Sequence, residues 1–320
     1  MSINHILVCS IVIPAYNEAE MIEATLQSLS QQTITRDRYE IIVVDNGSTD
    51  GTPLLAKKYA DLVLIKTTGN VGSVRNHGVK NSRSNIIVCT DADCLFDRDW
   101  LEKGLKLLDS NANSVLGGGL KTPVSANWVE KKWLLNPSGK VSQQNSLMGS
   151  SIFIRKDHFK LVNGFDEFVT SGEDSKISET LTASKVNILV SPELSVIHSG
   201  GPKTLKDFFR RQVWHSENYL KEIRNSLYDK VFILIVAFSL SHFLLLFSFI
   251  LNNPMIFYIS FSSIFLIPLV FSIKRMLRAR YKPRSTLDFA GVYLLDLLYA
   301  YARSTGLITG LKQLFKPHQA

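Results

Sequence analysis

Two long apolar runs near the carboxyl end constrain this chain more than any other feature. Val231 to Leu251 is 21 residues without a formal charge, and Met255 to Ile273 is another 19. At a rise of about 1.5 Å per residue, a helix of either length covers about the 30 Å hydrocarbon thickness of a bilayer. Only Asn252-Asn253-Pro254 separates them, so the pair reads as a transmembrane helical hairpin. Six basic residues follow within eleven: Lys274, Arg275, Arg278, Arg280, Lys282 and Arg284. Positive charge at span ends marks the cytoplasmic side, and a hairpin returns the chain to the side it left. Residues 1–230 are therefore expected on the cytoplasmic side of a multi-pass membrane protein. The net charge of +8 is assigned largely to anionic membrane lipids. Nucleic acid is not an expected partner, because no basic–aromatic stacking pattern accompanies the charge. Met1 to Val8 has no basic region or cleavage site, so no secretory leader is expected.

The first hundred residues alternate short β-branched runs with helical stretches. Strands are expected at Ser10 to Ile13, Glu40 to Val44, Leu62 to Ile65 and Ile86 to Thr90, with helices at about 18–31, 51–59 and 71–82. Continuous apolar strands between helices indicate a parallel sheet covered on both faces. A doubly wound α/β domain of that kind binds its ligands at the carboxyl ends of the strands. Further strands are expected at Met148 to Arg155 and Asn187 to Val190, and helices at about 156–162 and 174–184. Cys9 and Cys89 fall within apolar strands as small buried hydrophobes, and three cysteines without metal spacing agree with a reducing compartment. Gly117-Gly118-Gly119 points to a close backbone approach or a bend, with a flexible loop as the alternative. Thr122 to Gln144 carries Trp128, Trp133, Pro123 and Pro137 without a clean period and reads as a variable substrate-facing loop.

Four polar clusters stand at the ends of these runs. They are Ile13-Pro14-Ala15-Tyr16-Asn17-Glu18, Asp45 to Thr52, Asp91-Ala92-Asp93 and Glu173-Asp174. Alternate residues of a strand face the same way, so the spacing of Asp91 and Asp93 would aim two hard oxygen ligands into one crevice. Such a pair suits a divalent cation that also carries phosphate oxygens. Solvated loop acids are the plainer alternative for any one cluster, but four at the strand ends of one sheet make a polar crevice.

In these motifs the chain resembles the family 2 glycosyltransferases. The likeness covers about residues 8–200 and rests on IPAYNE, VVDNGSTDGT, Gly72-Ser73-Val74-Arg75-Asn76, DAD, NGFDE and GED in that order. The resemblance implies an α/β fold of the GT-A type, a Rossmann-like mixed sheet that binds a nucleotide-diphosphate sugar. Pro14, Tyr16 and Glu18 would line the nucleotide pocket and Asp45 would hold the base or ribose. Arg75 would lie near the diphosphate or order the acidic cluster. Within Asp91-Ala92-Asp93, Asp93 would ligate Mg²⁺ or Mn²⁺ directly and Asp91 would contact the ribose or a metal-bound water. His198 would be a third metal ligand. Asp174 would be the general base on the acceptor hydroxyl, with Glu173 positioning the acceptor or leaving group. One base and one in-line displacement would invert the anomeric carbon.

The chain departs from the family's polymer synthases in lacking their Gln-x-x-Arg-Trp order, since residues 209–215 read Phe-Arg-Arg-Gln-Val-Trp-His. Single transfer is therefore expected rather than processive synthesis. Lys176 stands where an acidic residue commonly follows the Glu-Asp pair, which leaves the acceptor open. The expected organisation is a catalytic domain over 1–202, an amphipathic interfacial linker over 203–230, two transmembrane helices over 231–273, and a basic loop with an amphipathic helix over 274–320. In that last helix Asp296 and Arg303 lie about 20° apart on a helical wheel, a polar stripe that favours lying in the interface over a third span. A crevice held at the bilayer points to a lipid-linked saccharide or polyprenyl phosphate acceptor, in envelope or extracellular glycoconjugate synthesis. The alternative of a different class is a non-catalytic membrane scaffold that keeps a nucleotide-binding fold. Oligomeric state, donor sugar and linkage are not legible.

Overall fold

A computed structural model describes residues 7–135, 141–169, 172–216, 219–220 and 223–314. The first six residues, Pro137, Ser171, Lys221 and the last six residues of the chain lie outside that range. The chain forms two compact units, residues 1–123 with 137–200, and residues 124–136 with 201–320.

In the first unit β1 (Cys9–Ala15), α1 (Ile22–Ser30), β2 (Tyr39–Asp45), α2 (Thr52–Ala56), β3 (Leu62–Ile65), α3 (Val71–Lys80) and β4 (Ile86–Cys89) alternate. They are followed by β5 (Cys94–Leu95), α4 (Trp100–Asp109), β6 (Ser114–Gly117) and β7 (Leu120–Lys121). The helix α5 (Trp128–Leu134) belongs to the second unit. The first unit resumes with β8 (Ser142–Gln143), β9 (Ile152–Arg155), α6 (Lys156–Leu161), α7 (Glu173–Ala183), β10 (Asn187–Val190) and β11 (Val196–His198).

The main sheet runs β3-β2-β1-β4-β9-β6-β10-β8, and a small second sheet runs β5-β11-β7. The first four strands are parallel, as their apolar runs indicate. The sheet is nonetheless mixed, because β9 lies antiparallel between β4 and β6. An apolar run such as Ile152-Phe153-Ile154 signals burial and carries no information about direction. Alternate residues of β1 enter opposite cores, Ile11 and Ile13 with α1 and α4, and Val12 with Phe159 of α6 and Ile177 of α7. Gly104 lets α4 sit close on β9, since a Cβ there would meet the Phe153 ring at 2.2 Å. The triple glycine marks the close approach expected of it: a Cβ on Gly118 would stand 1.8 Å from the Leu194 carbonyl oxygen.

The second unit holds α5, α8 (Leu205–Ser216), α9 (Ile223–Ser226), α10 (Lys230–Ile250), α11 (Pro254–Ala279) and α12 (Thr286–Leu314). The stretch read as a loop thus contains a helix with a complete capping box, Asn127 accepting from the Glu130 backbone while Glu130 accepts from the Asn127 backbone. Trp133 of α5 packs edge-on against Phe208 of α8, and Arg275 of α11 donates to the Lys132 and Trp133 carbonyls at the end of α5. Helices α10 and α11 are long and apolar enough to cross a membrane, and only 22% and 28% of their most apolar windows are buried. Asn253 caps α11 and Pro254 occupies its first turn, so these residues stop one helix and start the next. The polar stripe of α12 points inward rather than to solvent. Asp296 is buried on Arg275 at 2.8 Å and Ser272 at 2.7 Å, and Arg303 donates to the His215 carbonyl. Leu287, Leu294, Tyr301 and Ile308 form the exposed face instead.

Candidate active site

The site is assembled at the carboxyl ends of β1, β2 and β4. Parallel pairing sets Ala15 beside Asp45, and the loops that follow are laced together. Ser48 accepts from the Asn17 backbone, Thr52 from the Glu18 backbone and Asp50 from the Ala19 backbone. Asp45 is buried, and its Oδ2 accepts from the backbones of Gly47 and Ser48, both at 3.0 Å. Its Oδ1 is buried without a protein partner. A desolvated carboxylate oxygen in that state costs about 1–3 kcal/mol unless a donor reaches it, which marks a position for a ligand N–H or O–H. Pro14 is half-buried in β1, and the Tyr16 ring projects with 58% of its surface exposed.

Asp91, Ala92 and Asp93 do not continue β4. The strand ends at Cys89, and the three residues form the turn into β5. Strand alternation therefore does not aim the two carboxylates; the turn does. Ala92 is buried, and Thr25 of α1 donates to its carbonyl at 2.7 Å, which pins the turn to the first core. The β5–β11 pairing sets His198 opposite Cys94, which brings His198 Nε2 to 3.3 Å from Asp93 Oδ2. Donor atoms of Asp91, Asp93, Cys94 and His198 all lie within 4.8 Å of one another. Gly200 makes room for this cluster, because a Cβ there would come within 2.1 Å of Asp93 Oδ2. Two carboxylates and an imidazole within that reach, with no Cβ at Gly200, fit a divalent cation.

Arg75 joins this cluster to the second acidic pair. Its guanidinium is buried, with Nη2 2.5 Å from Asp91 Oδ1 and Nη1 2.5 Å from Glu173 Oε1. Phe165 of the NGFDE stretch covers it at 5.5 Å, and Gly149 lies so close that a Cβ would meet Nη2 at 2.6 Å. Of the two places the resemblance allowed for Arg75, the geometry favours ordering the acidic cluster. Asp174 begins α7 beside Glu173. It accepts from the Ser175 backbone at 2.7 Å and the Gly149 backbone at 3.2 Å. Burial, and then the Glu173 charge, hold its carboxyl above the usual aspartate range.

Glu18 belongs to the same field. Burial first, then the charges of Asp93, Asp91 and Asp50, push its carboxyl from 4.5 to about 7. The folded protein therefore binds this proton more tightly than the unfolded chain does. Its stabilising effect is complete below pH 4.5 and is lost as the pH rises through about 7. The melting temperature of metal-free protein is expected to fall across that window, and Glu18→Gln should flatten the fall. An equally steep profile in Glu18→Gln would contradict the assignment.

Sequence reasoning had given Cys94, Gly149 and Gly200 no part in the site. The adjacency of Cys94 to Asp-x-Asp, and of Gly200 to His198, were the available signals. The mixed sheet and the strand-end crevice define a GT-A fold, the architecture of nucleotide-diphospho-sugar transferases. Residues 10–163 match the model described as Glycosyl transferase family 2, which makes that stretch a family 2 glycosyltransferase domain. Glycosyltransferase AglE of Haloferax volcanii is 28% identical over 223 residues, 64% of this chain and 73% of AglE. Three other curated relatives match over about a third of this chain, which spans at most 32% of their own length. Among solved structures, the Pyrobaculum calidifontis mannosyltransferase PcManGT, in complex with GDP-Man and Mn²⁺, aligns with a TM-score of 0.58 and 19% identity. That alignment covers 94% of this chain and 88% of PcManGT. S. aureus TarS 1–349 in complex with UDP-GlcNAc aligns with a TM-score of 0.51 and 18% identity, covering 93% of this chain and 91% of TarS. At these identities the structural likeness is one of fold.

Proposed function

We propose that this glycosyltransferase is membrane-anchored and transfers a sugar, with inversion, from a nucleotide diphosphate donor to a lipid-linked saccharide or polyprenyl phosphate. One observation carries the reading. Arg75 ties Asp91 of the proposed metal–diphosphate end to Glu173 beside the base in a single buried network. Asp45 Oδ1 would accept from the nucleobase or ribose, with Tyr16 open to stack on the base and Pro14 and Glu18 lining the pocket. Asp91, Asp93 and His198 would hold Mg²⁺ or Mn²⁺, which supplies positive charge to the departing diphosphate.

Asp174 would take the proton of the acceptor hydroxyl while that oxygen attacks the anomeric carbon and the sugar–phosphate bond breaks. Its raised affinity for protons suits this work near neutral pH. Glu173, fixed by Arg75, would hold Asp174 and the acceptor in line. The apolar faces of α10 and α11 and the exposed basic residues after them support anchoring with the catalytic unit on the cytoplasmic side.

The test is nucleotide release from a panel of uridine and guanosine diphosphate sugars, with Mn²⁺ and purified full-length protein. Release from one donor, stimulated by a polyprenyl-linked acceptor, is the expected result. Folded protein that releases nucleotide from no donor would overturn the proposal.

A further inference from the structure

The donor cluster contains one atom that a hard-metal site does not call for. Cys94 Sγ lies 3.9 Å from Asp93 Oδ1 and belongs to the group of donors within 4.8 Å. Among the described residues, neither Cys9 nor Cys89 joins such a group. A tetrahedral zinc ion with sulfur, nitrogen and oxygen ligands needs donor separations of roughly 3.3–3.8 Å. The cluster reaches that by a small contraction, since His198 Nε2 and Asp93 Oδ2 already stand 3.3 Å apart.

We propose that Cys94 gives this site a second, thiophilic mode, in which Zn²⁺ or Cd²⁺ is bound by Asp91, Asp93, Cys94 and His198. Binding forms a metal–sulfur bond, and the thiol proton passes to solvent; nothing is oxidised or reduced. Four protein ligands fill a tetrahedral ion, whereas a site that serves chemistry keeps a position open. The soft ion therefore occupies the place of Mg²⁺ or Mn²⁺ while leaving no position for diphosphate oxygens, and it acts as an inhibitor. Divalent affinities favour this outcome, because zinc outranks manganese at a given site and thiolate widens the gap. Magnesium and manganese prefer oxygen and gain little from the sulfur. The inference rests on the proposed metal site and adds a residue and a class of ion to it.

The test is titration of detergent-solubilised full-length protein with Cd²⁺, read by the thiolate-to-cadmium charge-transfer band in the ultraviolet. The band is expected in wild type, Cys9→Ser and Cys89→Ser, and is expected to vanish in Cys94→Ser. Zn²⁺ should displace Mn²⁺, followed by electron paramagnetic resonance, at least about tenfold more effectively from wild type than from Cys94→Ser. Cadmium NMR of the wild type needs no variant, and a resonance in the range of sulfur-containing sites is the expected outcome. A resonance in the oxygen- and nitrogen-only range, or a charge-transfer band that persists in Cys94→Ser, would overturn the proposal. Failure here with Mn²⁺-dependent nucleotide binding intact removes only the thiophilic mode. Loss of that nucleotide binding beside an intact cadmium–sulfur band instead removes the functional reading.

Discussion

Asp174→Asn is expected to lower sugar transfer by roughly 10²–10⁴-fold, the usual contribution of a positioned general base, while leaving donor binding in place. The amide oxygen can keep the 2.7 Å bond from the Ser175 backbone at the start of α7, while the longer 3.2 Å bond from the Gly149 backbone, made to the other carboxylate oxygen, is given up. What the amide cannot do is take a proton. In wild type the rate should rise with pH through an apparent value above that of an ordinary aspartate, because burial and Glu173 disfavour the charged form. That limb should disappear in the variant. Nucleotide release measured with acceptor over a pH series separates the two effects, and equal turnover in both proteins would sink the base assignment.

The second large effect is expected at Arg75. Arg75→Met keeps much of the side-chain volume under Phe165 but removes the cation that touches both Asp91 and Glu173. Breaking a buried ion pair by deleting one partner costs about 3–5 kcal/mol. The melting temperature should then drop by roughly 6–20 °C for a unit of this size. Arg75→Lys should also lose stability, since a single ammonium cannot reproduce the two-pronged bridge. Adding Glu173→Gln to Arg75→Met should recover part of the loss, because one of the stranded charges is then gone. Scanning calorimetry reads all four proteins. An unchanged melting temperature in Arg75→Met would show that the bridge is not what holds the acidic pairs together.

Elements written in local pattern are legible in the sequence. The runs that became β1, β2, β3 and β4 and the hairpin of α10 and α11 announce themselves by composition, and Asn187–Val190 is a strand with its expected ends. The polar clusters at strand ends were equally visible. What escaped was set by contacts distant along the chain. The antiparallel direction of β9 is decided by its neighbours β4 and β6. His198 reaches Asp93 because β11 pairs with β5 across more than a hundred residues. The Asp-x-Asp spacing pointed to convergent carboxylates, but the turn pinned by Thr25 provides the convergence. In α12 the wheel found the polar stripe but not its direction, since Asp296 turns inward to Arg275 and Ser272. The capping box of α5 was a local signal, present in Asn127-Trp128-Val129-Glu130 and overlooked among tryptophans and prolines.

Asp93 and its neighbours are proposed to bind the nucleotide diphosphate through a divalent cation. Isothermal calorimetry of uridine and guanosine diphosphates, with and without Mn²⁺, tests it most directly in wild type and Asp93→Ala. Binding that requires Mn²⁺ in wild type and vanishes in Asp93→Ala is the predicted result. The same affinity in both proteins would contradict it.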